Sequence, residues 1–226
     1  MTATCHRPRC APRGLQSIRG TRTRARSRKT RGIATIEFGI LLPIFIFLTL
    51  PVIDFARAIQ ANLILTNLTR EGASLASRSS QLPQTIMDSL AQTTPPLDMP
   101  QRGTIYITKV MGNAENCSKS GTNCSVRNIV LEQYRWTDGW GIGGGAPASK
   151  VYGCGSYSGA DGACRNLPSA GTSSPTADTM TGKLTDGQVI YVVEGWYRFN
   201  MFFQGLTMGV LQMPKLGPNL YSATIF

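Results

Sequence analysis

The chain has 226 residues, a mass of 24.5 kDa and a net charge of +11, enough for one or two domains with a core of useful size. The charge is unevenly placed: residues 1–32 hold ten basic residues, from Arg7 to Arg31, and no acid, so residues 33–226 carry 13 basic against 12 acidic residues. This distribution argues against a domain with a basic nucleic-acid-binding surface and fits a short cationic tail. The one histidine, His6, lies in that tail, which sets aside most His-based catalytic and metal sites.

From Ile33 to Ile53 the sequence reads IATIEFGILLPIFIFLTLPVI, 21 residues with one charge, Glu37. A helix of that length rises about 30 Å, the depth of a bilayer's hydrocarbon core. A buried core helix would not need so one-sided a cationic flank. A cleaved signal peptide would have a shorter apolar region and a better small-x-small site than Asp54-Phe55-Ala56-Arg57-Ala58 provides. The positive-inside rule then keeps residues 1–32 in the cytoplasm and sends residues 54–226 across the membrane.

The helical pattern continues past the apolar run, with no proline between Pro51 and Pro83. Phe55, Ile59 and Leu63 recur every four residues, as do Ile64 and Leu68, and Arg57, Gln60, Asn67, Arg70, Glu71, Ser74 and Arg78 supply polar positions. This predicts one amphipathic extension, a rod from Ile33 to about Ser79 in which Pro43 and Pro51 are tolerated or kink it. A short helix over Gln84–Gln92 is predicted next, ended by Thr93-Thr94-Pro95-Pro96.

Four strands are predicted: Thr104–Val110, Val126–Trp136, Val189–Phe199 and Leu220–Phe226. In the third, Val189, Tyr191, Val193, Tyr197 and Phe199 share one face, with Glu194 and Arg198 on the other. Asp138–Gly187, rich in Gly, Ser and Ala, reads as a long, partly mobile loop. Met201–Met213 is apolar but interrupted by glycine and reads as an irregular segment packed on the sheet, or else a contact surface. The fold class is therefore α+β: a long transmembrane and amphipathic helix, then an antiparallel β-rich head. The boundaries expected are a leader 1–32, a helical segment 33–80 and a head 81–226.

Cys5 and Cys10 lie in the tail, and Cys117, Cys124, Cys154 and Cys164 beyond the apolar run. Local closure favours Cys117–Cys124 and Cys154–Cys164, the pattern of an oxidising compartment. A four-cysteine zinc site is the competitor, but it uses tighter pairs. Gly141–Gly145 has no strand–helix context or GK[ST] and is read as a loop rather than a phosphate cradle. Three Asn-x-Ser/Thr patterns, at Asn67, Asn116 and Asn123, are given no role, and the scattered acids form no recognisable catalytic pair. No cofactor and no metal is expected, and an enzymatic role is not.

The segment Arg31-Gly32-Ile33-Ala34-Thr35-Ile36-Glu37-Phe38-Gly39-Ile40-Leu41-Leu42-Pro43 carries the most information. Glycine, four residues, then Glu-Phe and an apolar run behind a basic leader resembles the type IV prepilin pattern. With Asp54-Phe55-Ala56-Arg57 beyond it, the chain resembles the TadE-like pseudopilins of the tight-adherence (Flp) pilus, over about residues 31–75. The resemblance implies cleavage between Gly32 and Ile33 by a membrane prepilin peptidase, removing 32 of the 226 residues and leaving 194. Ile33 would become the new N-terminus, often methylated in such families. The Glu37 carboxylate, beside Phe38, is then either solvated at the cytoplasmic interface or paired with the new amine, within one chain or between neighbours, and the resemblance favours the amine of a neighbouring subunit.

A minor pseudopilin follows as the expected function. Its expected partners are the prepilin peptidase, other pilin or pseudopilin subunits, the inner-membrane pilus assembly platform and the membrane, with no specific nucleic acid. The expected location is the bacterial inner membrane, single-span with a periplasmic head, or a pilus. The alternative is an uncleaved single-span protein whose head binds a cell-envelope or secretion partner.

Overall fold

The structure is a computed structural model that describes residues 33–115, 117, 124–168, 175–177, 182–202, 207–208, 211–212 and 219–226. The basic leader with Cys5, Cys10 and Gly32, the Asn116 and Asn123 patterns, and most of Met201–Met213 lie outside the described residues. The chain forms two compact units, Met1–Phe45 and Ile46–Phe226.

The described part of the first unit is helical and opens α1 (Ile33–Arg78), which is assigned as one helix through Pro43 and Pro51. In this unit Ile36, Phe38, Ile40, Leu41, Ile44 and Phe45 are all exposed. A run of bulky apolar side chains left exposed along a helix is the composition of a helix whose solvent is lipid.

In the second unit α1 continues to Arg78 and is followed by α2 (Pro83–Gln92), α3 (Met99–Arg102), β1 (Gly103–Glu115), β2 (Ser125–Arg135), β3 (Val189–Arg198), β4 (Thr207–Met208), β5 (Leu211–Gln212) and β6 (Asn219–Ile225). Pro83 starts α2, where its missing N–H costs nothing. Asp98 caps α3, accepting from Gln101 N. The main sheet is antiparallel with order β2-β1-β3-β6 and an irregularity between Lys109 and Val110; β4 and β5 pair separately. Where Met201–Met213 is described beyond Phe202 it is this small hairpin rather than irregular chain.

One face of the sheet, from Ile105, Ile107, Val193 and Tyr197, packs on α1 and α2 through Ala58, Ala61, Leu65, Leu68, Ala73, Ala76, Met87 and Leu90. Of the expected apolar positions, Leu68 meets the core while another stripe does not. Phe55, Ile59 and Leu63 remain 47–58% exposed, and it is the small residues between them that meet the sheet. The reason is distance: a Cβ built on Gly195 of β3 would stand 2.9 Å from Leu65 Cδ1, and one on Gly72 of α1 would stand 3.0 Å from Val193 Cγ1. So close a helix–sheet approach selects alanine and glycine, which a reading weighted by hydropathy passes over. Thr69, fully buried, joins α1 to β6 by hydroxyl contacts with Ser222 at 3.1 Å and Thr224 at 3.0 Å.

The other face is covered too, by chain without regular structure. Val151, Ala177 and Leu184 pack on Val110, Val130, Ile190 and Val192. Bridges Tyr134–Ala163, Ile129–Thr176 and Tyr157–Cys164 tie this chain to β2 and to itself. The described parts of Asp138–Gly187 are the expected loop, and through Val151, Ala177 and Leu184 that loop covers the second face of the sheet as a third layer. Gln84 of α2 helps fix it, donating to the carbonyls of Arg135 (2.8 Å) and Asp161 (2.7 Å) while accepting from Thr137 N.

Candidate functional site

The first candidate is the N-terminal part of α1. Ile33 begins the helix, and Gly32, the expected cleavage position, lies outside the described residues. Glu37 and Phe38 are exposed, Phe38 at 66%. Glu37 has no ion pair among the described residues. On a helix, residues four apart lie on one side, so Glu37 shares a side with the start of α1. The helix is long and apolar enough to cross a membrane, by length and composition.

One turn past the apolar run, the second unit holds a charged pair. Asp54 is fully buried and accepts from Arg57 Nη1 at 3.4 Å. Arg57 also stacks on aromatic rings, its guanidinium carbon 5.6 Å from the Phe199 centroid and 4.2 Å from that of Phe202. The spacing Asp54-Phe55-Ala56-Arg57, at i and i+3, is what makes the pair possible on a helix. Arg57 was placed among the polar positions of the helix; its aromatic partners, some 140 residues on, had no local signal.

The cysteines form the two expected bonds, Cys117–Cys124 and Cys154–Cys164. With all four sulfurs paired, none remains as a thiolate for zinc. The second bond closes the chain that carries Tyr157, whose hydroxyl donates to Gln133 Oε1 at 2.9 Å.

Glu194 lies, as expected, on the face of β3 opposite Val193 and Tyr197. It is fully buried. Its carboxylate accepts from Ser149 Oγ, from Lys150 N at 2.8 Å and from Tyr221 OH at 2.9 Å. Gln133 Nε2 extends the network to Thr108 Oγ1, Ser149 Oγ and the Tyr152 carbonyl. Lys150 Nζ lies 3.9 Å from the Tyr221 ring centroid and 5.3 Å from that of Trp196. Burial, the Glu194 charge and the hydrogen bond to it all push the Tyr221 phenol above its usual value. Burial does the same at Tyr157, with Tyr106 adding and Arg135 opposing. The available signal was Ile190 and Val192: a strand apolar on both faces is covered on both. A carboxylate saturated by three donors under a packed layer holds chain in place.

The geometry thus consists of an exposed apolar helix with one carboxylate, an ion pair at its end, and a stapled three-layer unit. The family model for TadE-like proteins matches residues 32–74. No curated protein and no solved structure matches the chain. Residues 32–74, which include Glu37, Phe38, Asp54 and Arg57, are thus similar to TadE-like proteins.

Proposed function

We propose that this chain is a non-enzymatic minor pseudopilin of a tight-adherence pilus. It is cut after Gly32 by a prepilin peptidase, anchored by α1 in the inner membrane with its head in the periplasm, and carried by the same helix into an assembly of like subunits on the pilus platform. The observation that carries this reading is the coincidence of the TadE-like match at 32–74 with a helix whose large side chains are exposed. The stripe Phe55, Ile59 and Leu63 supports it, because it extends the apolar exposure past the run that a bilayer would cover. Glu37 is then a registration residue. An intramembrane carboxylate is costly alone, by about 2.5–3.5 kcal/mol on insertion scales, and the α-amine released at Ile33 of a neighbour would compensate it only at one stagger.

Mass spectrometry of the mature N-terminus, with and without the peptidase, tests the reading. A methylated or free Ile33 that disappears when the peptidase is deleted supports it. A membrane protein that retains residues 1–32 in both strains favours the uncleaved single-span alternative.

A further inference from the structure

We propose that the cleft between α1, α3 and the end of β3 binds the phosphate of an anionic phospholipid headgroup. The cleft, of about 160 Å³, is lined by Arg57 and Gln60 of α1, Arg102 of α3, Tyr197 of β3, and Phe199 and Asn200 just beyond it. Among the described residues no acid lines it. Asp54 neutralises one charge through its contact with Arg57 Nη1, and among the described residues the second guanidinium, Arg102, faces the neutral Asn200 amide, whose oxygen, once the amide is turned toward it, accepts from Nη1 and Nη2 at 3.2 and 3.3 Å. A guanidinium has five N–H donors in a planar fork that matches phosphate oxygens. The contacts made leave most of these donors available, and the cleft keeps about one net positive charge.

The surroundings distinguish a lipid from a free anion. Arg57 lies four residues past Ile53, and in the second unit Val52, Ile53, Phe55 and Phe202 are all exposed, Phe202 at 71%. Phe202 is also the ring on which the Arg57 guanidinium rests. A basic head resting on an exposed aromatic ring, just past the end of a membrane-length apolar run, is the composition of a bilayer interface. Insertion of Phe202 would also remove its exposed surface from water. The inference rests on the membrane-anchored reading of α1 and goes beyond it by naming a lipid class and a site.

The test uses the full chain reconstituted in phosphatidylcholine vesicles containing a minority of phosphatidylglycerol. Flotation reports insertion, and native mass spectrometry after mild extraction reports which lipid is retained. The wild type is expected to retain phosphatidylglycerol in preference to phosphatidylcholine. Arg57→Gln and Arg102→Gln are each expected to lower that preference about fivefold, with Arg70→Gln, an exposed arginine outside the cleft, unchanged. Because Arg57→Gln removes a partner of buried Asp54, Arg102→Gln is the decisive variant, with equal thermal unfolding as its fold control. A wild type that floats without lipid preference overturns the site alone. Equal loss in Arg70→Gln, showing diffuse attraction, or displacement of the lipid by millimolar inorganic phosphate would also overturn it. A wild type that fails to float overturns the membrane reading and the lipid assignment together.

Discussion

Leu65 on α1 and Gly195 on β3 are in such close approach that a single methyl group on Gly195 would stand 2.9 Å from Leu65 Cδ1, with Thr69 Cγ2 at 3.2 Å. The absence of a side chain at residue 195 therefore sets how closely the helix lies on the sheet. Gly195→Val is expected to destabilise the second unit by about 1–3 kcal/mol, the range for overpacking a well-filled core. Urea denaturation followed by tryptophan fluorescence measures it; an unchanged midpoint would show that the helix–sheet spacing is soft.

Glu194 provides the second prediction. Glu194→Ala leaves the Ser149 hydroxyl, the Lys150 N–H and the Tyr221 hydroxyl without their acceptor, at about 1–3 kcal/mol for each buried donor that finds no substitute. Glu194→Gln retains one acceptor oxygen and is expected to lose less. Faster proteolysis around residues 145–165 in both variants, with α1 still protected, is the expected signature. Uniform loss of protection would place the network in the global core rather than under one layer.

The tyrosines determine a pH dependence. Tyr106, Tyr134, Tyr157 and Tyr221 all hold their protons more tightly than an ordinary phenol, chiefly because they are buried. The folded form therefore binds protons that an unfolded tyrosine releases above about pH 10. The stabilisation is complete below that value and is lost as pH rises through it toward the folded values. Stability is expected to fall from about pH 10 upward, and Tyr221→Phe is expected to make that fall shallower. Urea midpoints across the alkaline range check the sign; a midpoint that rises with pH contradicts it.

Much of this was legible locally. The limits of α1, α2, β2, β3 and β6 follow from hydropathy period and from Pro83, Pro95 and Pro96, and the cysteine pairs from short spacing, whereas β1 runs on from the expected Val110 to Glu115, where its less apolar residues gave no period. What was not legible depends on partners distant in sequence. Ala58, Ala61 and Ala76 carry little hydropathy signal, yet they form the helix face that meets the sheet, because only contact with β3 selects for small volume. The burial of Glu194 depends on Ser149 and Tyr221, 45 and 27 positions away, which only the fold brings to it. The Arg57–Phe199 contact was invisible for the same reason.

The function of α1 is tested by separating cutting from assembly. Gly32→Arg is expected to retain the leader, read as a heavier chain on immunoblotting. Glu37→Gln is expected to insert and be cut normally but to lower pilus incorporation by tenfold or more, the scale of about 1.4 kcal/mol or above. Wild-type piliation by Glu37→Gln at native expression, in a strain that needs this protein for pili, would falsify the registration role.

The division of α1 into small inward and bulky outward residues separates two kinds of inheritance. At Ala58, Ala61, Gly72, Ala73 and Ala76 the constraint is volume, and the sheet enforces it. At Phe55, Ile59 and Leu63 no described residue limits size, and the constraint is set by whatever lies outside. A lineage can therefore exchange one set of outward side chains for another, and so change which neighbours its helix accepts, while the sheet, its stapled covering layer and their stability pass on unaltered.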